Sequence, residues 1–141
     1  MNVLLLVDGS ACSNKAVEYV ASNPNLLQNS DGLHLLHVHF PAPRGLARSI
    51  VGEDAVNNHY EQESATALKP AEEILRKNGI HYVSTFTVGD IPEQVDAYVK
   101  KHGIGMIVMG SHGHGGFKSF VTGSVTTKVL TMASVPVLVV R

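Results

Sequence analysis

The feature that most constrains what this chain can fold into is an alternation. Short apolar runs take turns with segments whose apolar residues recur every three or four positions. The run Val3–Val7 offers water no polar side, which predicts a strand covered on both faces. Behind it, Ala16, Val17, Val20 and Ala21 have helical spacing, with Ser10 or Ser13 placed to cap. Leu33–Phe40 reads as a second strand, and PAPRG opens a loop reaching Arg48. From about Asp54, Tyr60, Ala67, Leu68, Ala71, Ile74 and Leu75 mark a second helix. Pro70 predicts a kink or a split in it, and Gly79 its end.

From Ile80 to Val88 apolar and polar residues alternate, which predicts an edge strand. Asp90 and Glu93 form a capping-box pattern with Pro92 in the first turn. Ile91, Val95, Tyr98 and Val99 give that helix its stripe, and Gly103 closes it. Met106–Met109, Ser124–Met132 and Val137–Val140 read as strand, helix and strand. Five strands alternating with four helices predict an α/β fold with a parallel, doubly wound sheet. Such sheets bind ligands beyond the carboxyl ends of their strands, where the strand order reverses. Asp8 ends the first strand and Gly110 the fourth, so both face one crevice if those strands are neighbours.

Length and charge narrow the partners. The 141 residues suit one domain, residues 1–141, able to bury roughly two-thirds of its unfolded surface without disulfides. A formal net charge of −1 provides no global field for nucleic acid or an anionic membrane. Cys12 is the one cysteine, so no internal disulfide forms, which fits a reducing compartment. No apolar run approaches the ~20 residues that span a bilayer. The five apolar residues near the N-terminus lack a basic lead. The expectation is a cytoplasmic protein with no membrane and no nucleic-acid partner.

The stretch VMGSHGHGGFKSFVTGSV, Val108 to Val125, holds five of the thirteen glycines, a lysine and no carboxylate. Glycines let backbone N–H groups reach a ligand without side-chain obstruction. Successive N–H groups form an anion nest, and the N-terminus of the following helix adds partial positive charge. Ser124, Thr126 and Thr127 supply hydroxyls. The segment reads as a phosphate cradle, although it lacks the Gly-Lys-Ser/Thr of a P-loop, and no GxGxxG follows strand one.

Gly110-Ser-His-Gly113, nine residues, then Gly123-Ser124 resembles the G-2x-G-9x-G-[S/T] ATP signature of the universal stress protein family. The resemblance extends through VLLLVDGS, LLHVH, VGD, FKSF, TGSV and VPVLVVR, nearly the whole chain. It implies a three-layer α/β/α domain with a Rossmann-like, adenine nucleotide alpha hydrolase-like sheet of order 3-2-1-4-5. It implies ATP as ligand, with Mg²⁺, ADP or AMP as variants of that reading. By the same resemblance Asp8, Gly9 and Val38 lie at the adenine and ribose end. Met109, Gly110, His112 and Gly113 surround the ribose and phosphates, and Gly123, Ser124, Val125 and Thr126 hold the phosphates. It further implies a homodimer through antiparallel pairing of Val137–Val140, which a Leu138→Lys or Val140→Lys change tests where the side chain points to the partner. Two departures are Gly105, where relatives carry Asp, and Gly115-Gly116, which removes a side chain able to fix the loop.

Plainer roles stand beside these. Asp8 could cap the first helix, Lys118 could be a solvated lysine, and Cys12 a small helix residue. His112 and His114 alternate as metal ligands do, but without a third ligand. His37 and His39 share a strand face that His34 does not, and read as structural. No catalytic residue and no metal ligand is assigned. The pyrophosphatase loop Ser-Gly-Gly-x-Asp-Ser is replaced by VDGSACS, and a receiver's acidic cluster is missing. The reading is therefore a nucleotide-binding stress-response regulator or sensor. The alternatives are slow ATP hydrolysis or self-phosphorylation, or a nucleotide-independent dimeric scaffold.

Overall fold

The computed structural model describes residues 1–41, 52–112 and 123–141. Gly113, His114, Gly115, Gly116, Lys118 and the loop that reaches Arg48 lie outside the described residues. The strands are β1 (Asn2–Leu6), β2 (Gly32–His39), β3 (Val83–Val88), β4 (Ile104–Gly110) and β5 (Val137–Val140). Among the described residues the helices are α1 (Ala11–Ser22), α2 (Glu53–Lys77), α3 (Ile91–His102) and α4 (Ser124–Met132), with a 3₁₀ turn at Pro24–Leu27.

All strand pairs are parallel, and the order is β3-β2-β1-β4-β5. The apolar run of β1 is central, with β2 and β3 on one side and β4 and β5 on the other. Its residues alternate between two cores. Val3, Leu5 and Val7 join Ala16, Val17 and Val20 of α1 and Leu68, Ala71 and Leu75 of α2. Leu4 and Leu6 join Val95, Tyr98 and Val99 of α3 and Val129 of α4. Helices thus cover both faces, which makes the three layers. β3 is an edge, as its polar alternation predicts, and β5 is the other.

The caps follow local chemistry. Ser10 caps α1 by accepting a hydrogen bond from the Ser13 N–H, and Asp90 caps α3 by accepting from the Glu93 N–H. Gly103 ends α3 in the left-handed region, at φ 59°, which a side chain would strain.

Two expectations are corrected. Pro70 does not split α2, which runs unbroken over 25 residues. Proline costs one intrahelical bond there, and Leu68, Ala71 and Leu75, all buried around it, hold both halves on the sheet. The third strand begins at Val83, not Ile80, because pairing with β2 starts at His34↔Val83. Ile80 and Tyr82 still pack on the core from the preceding loop.

Candidate functional site

The carboxyl ends of β1, β2 and β4 lie side by side, with Leu6 in register with both Leu36 and Met109. The chain turns into α1 immediately beyond β1. Within this turn Asp8 Oδ1 accepts the Ser10 N–H at 2.9 Å, and Ser13 Oγ accepts the Asp8 N–H at 3.1 Å. Asp8 is therefore not the helix cap; Ser10 is, and Asp8 braces the turn that carries it. Gly9 adopts φ 81°, and a Cβ there would approach the Ala67 backbone to 3.1 Å. Its glycine lets α2 pass closely over the turn.

Two openings flank Asp8. The narrower, about 70 Å³, lies over the ends of β1 and β4 and is lined mainly by apolar side chains, including Leu6, Val38, Ile91, Met109 and Val125. Asp8, Gly110, His112 and Thr126 add its polar and glycine positions. The wider, about 710 Å³, lies between the end of β2 and α2, with His37, His39, His59 and Glu63 in its lining. Asp8 and Val38 line both, so the two openings adjoin.

Of the residues singled out by sequence, Asp8, Val38, Met109, Gly110, His112, Val125 and Thr126 meet at the narrow opening, and Gly9 lines the wide one. Gly123 and Ser124 stand at the start of α4, Gly123 as its cap residue. Gly113 lies outside the described residues. The α4 terminus has no acidic residue in its first turn. The N–H groups of Ser124, Val125 and Thr126 have no intrahelical acceptor at these positions. They are the donors an anion would meet, and the helix dipole adds to them.

Several singled-out groups are already engaged in the fold. The Gly123 N–H donates to the Ser111 carbonyl at 2.8 Å, and the Thr126 hydroxyl to the Gly110 carbonyl at 3.0 Å. Both bonds tie the start of α4 to the end of β4. His112 Nδ1 lies 2.8 Å from Ser111 Oγ. At the other end of β4, Gly105 sits against Met1, away from both openings.

His34 faces the opposite side of the sheet from His37 and His39, with Nδ1 2.8 Å from the Tyr98 hydroxyl. Burial, followed by repulsion from His102, holds its pKa below the usual imidazole value. Cys12 is a partly buried residue of α1. Among the described residues no group of three or more His, Cys, Asp or Glu side chains could hold a metal ion. None of their helices is long and apolar enough to cross a membrane.

Sequence reasoning did not single out Ile91 as a site residue, nor His59, Gln62, Glu63 and Thr66 in the wide opening. The only sequence signal for the latter group was His59 and Glu63 at i,i+4 spacing on one helix face.

The family model described as the universal stress protein family matches residues 1–141. The universal stress protein YxiE of Bacillus subtilis is 29% identical over 147 residues, 99% of this chain and 97% of its own length. The solved structure of MJ0577, from Methanocaldococcus jannaschii, superposes with a TM-score of 0.76 at 25% identity, covering 99% of this chain and 94% of that one. Two further structures contain nucleotides. The Archaeoglobus fulgidus universal stress protein, in complex with dAMP, has a TM-score of 0.69 at 19% identity, with 100% and 98% coverage. An Arabidopsis thaliana family protein with AMP bound has a TM-score of 0.68 at 17% identity, with 99% and 90% coverage. At these identities the last two likenesses concern the fold. On the match of the family model over the whole chain, this protein belongs to the universal stress protein family.

Proposed function

We propose that this chain binds an adenine nucleotide across the carboxyl ends of β1, β2 and β4, and acts in the cytoplasm as a stress-response regulator or sensor through its bound state. One observation carries the reading. Seven residues singled out by sequence, from β2, β4, α4 and two connecting turns, converge on one opening beside the start of α4, where the cap residue Gly123 makes no side-chain cap hydrogen bond. The apolar side chains suit a flat base, Asp8 suits ribose hydroxyls, and the start of α4 suits phosphate. Gly113 belongs to the same cradle by the sequence pattern. ATP is the expected ligand, with Mg²⁺ on its phosphates. AMP or ADP would use the same base and ribose contacts, and fold relatives hold dAMP and AMP.

We favour binding, with at most slow hydrolysis, over efficient catalysis, because the sequence pattern assigns no catalytic base beside the glycine loop. Scanning fluorimetry of ligand-free protein tests the reading. A ligand specific for the folded state adds RT ln(1 + [L]/Kd), or ~2.7 kcal/mol at about 100-fold excess over Kd. No change in Tm at millimolar ATP with Mg²⁺, nor with AMP, contradicts it.

We further propose that β5 pairs with a second copy of the chain. The Ile107 N–H donates to the Pro136 carbonyl and the Ser111 N–H to the Val140 carbonyl. Along a parallel ladder, alternate residues direct both backbone groups to the same neighbour. Val137 and Val139 therefore direct theirs to the open edge, where another strand can take them up. Leu138 and Val140, chosen from sequence as test positions if they point to the partner, instead pack on the core beneath α1.

A further inference from the structure

The wide opening holds a cluster of titratable groups that nucleotide binding does not explain. His39, at the end of β2, has Nδ1 2.7 Å from the Phe40 carbonyl oxygen. Its Nε2 hydrogen-bonds the Glu63 carboxylate of α2. His59 Nε2 lies 3.1 Å from the other oxygen of that carboxylate. The His39 ring stands edge-on to Tyr60 at 4.9 Å and to His37 at 6.0 Å. Among the described residues, the titratable groups facing this pair are thus Asp8 beyond β1, His37 on β2, and His59 and Tyr60 on α2.

Donor counting decides what the pair requires. A carbonyl oxygen and an ionised carboxylate only accept, and a neutral imidazole has a single N–H. His39 serves both partners only when both ring nitrogens carry protons. With one proton, a nitrogen lone pair faces an oxygen lone pair at Phe40 or at Glu63. We propose that His39 and Glu63 form a proton-operated clasp between β2 and α2, closed by the His39 imidazolium and released when that proton leaves.

His39, Phe40, His59 and Glu63 all line the wide opening, so release changes its walls. The Glu63 side agrees with this geometry. Its carboxyl is held below the usual value first by the hydrogen bond from His39, against a smaller desolvation effect, and then by the charges of His59, His39 and His37. Protonation of His39 closes the clasp and its loss opens it, so the state of this wall follows pH.

The test reads ring-nitrogen NMR signals of ligand-free protein from pH 5 to 8.5, in wild type and in Glu63→Gln. A glutamine amide donates a hydrogen bond, so it can hold a neutral His39 through the Nε2 lone pair. In wild type, His39 is expected to carry both ring protons at the acid end, and to lose its proximity to residue 63 as it deprotonates. In Glu63→Gln the proximity should persist across the range. The midpoint of proton loss should be lower in the variant than in wild type, as expected when an adjacent opposite charge is removed. A wild-type His39 that holds its Glu63 contact with one ring proton at pH 5.5 overturns the proposal. So does an unchanged midpoint in the variant. Glu63 is half exposed, and circular dichroism verifies that the variant folds. The ligand-free readout makes the result independent of whether nucleotide binds.

Discussion

Gly110 lies so close to Cys12 that a Cβ on it would sit 2.6 Å from the Cys12 carbonyl oxygen. The obstacle is backbone, which cannot swing aside as a side chain can. The first glycine of the proposed phosphate pattern is therefore required by the approach of α1 to β4, whatever it does for a ligand. Gly110→Ala should cost about 1–3 kcal/mol, the usual range for overpacking a tight site. Urea denaturation checks this, and an unchanged midpoint would show that α1 can move away freely.

Thr126 is buried, and its hydroxyl is spent on the Gly110 carbonyl. Thr126→Val keeps the shape and removes the donor, leaving a buried acceptor short of a partner. The expected loss is about 1–3 kcal/mol of stability, with nucleotide affinity per folded molecule changed less than threefold. Calorimetry separates the two. A large affinity loss at unchanged stability would make the hydroxyl a phosphate ligand instead.

At the β5 edge, Val139→Pro removes an N–H that points away from β4, so it should leave the fold intact and weaken assembly. Light scattering at micromolar concentration should show a wild-type dimer shifting toward monomer in the variant. Leu138→Lys places a charge against the core and should reduce stability as well. A wild-type monomer refutes the edge pairing.

Stability should also depend on pH through His34, whose folded-state pKa lies below its ordinary value of 6.5. The unfolded chain then takes up that proton more readily than the folded one. The contribution is complete above pH 6.5 and is lost as pH falls through the depressed folded value. In thermal melts between pH 8 and 5, the change in Tm on acidification should be less favourable in wild type than in His34→Gln, the closing of the His39–Glu63 clasp acting alike in both. Parallel slopes would place the proton uptake elsewhere.

Much of this fold is legible in the sequence because local chemistry and tertiary role agree. Ser124–Met132 and Val137–Val140 form over the expected ranges. Gly103 and Asp90 act as the caps their residue types suggest. Pro70 is different, because the packing of Leu68, Ala71 and Leu75 on the sheet outweighs one missing bond and has no local signature. The site is half legible. A glycine that makes room for a ligand and one that makes room for a helix look alike, so the contact of Gly110 with Cys12 emerges only in three dimensions. The meeting of His39 with Glu63, 24 residues apart, is a consequence of where α2 lands on β2.

Ser124 gives the most direct test of phosphate binding at the start of α4. It is exposed at the first position of α4, where a carboxylate stabilises a helix by ~0.3–1 kcal/mol yet repels a phosphate. Isothermal titration of ATP into folded wild type and Ser124→Glu therefore separates the fold from the cradle. Wild type should bind ATP saturably, and a variant that is as stable or slightly more so should bind it at least ~10-fold more weakly. That factor corresponds to ~1.4 kcal/mol of lost phosphate attraction. Equal affinity in the two proteins, or no heat with wild type at millimolar ATP, would contradict it.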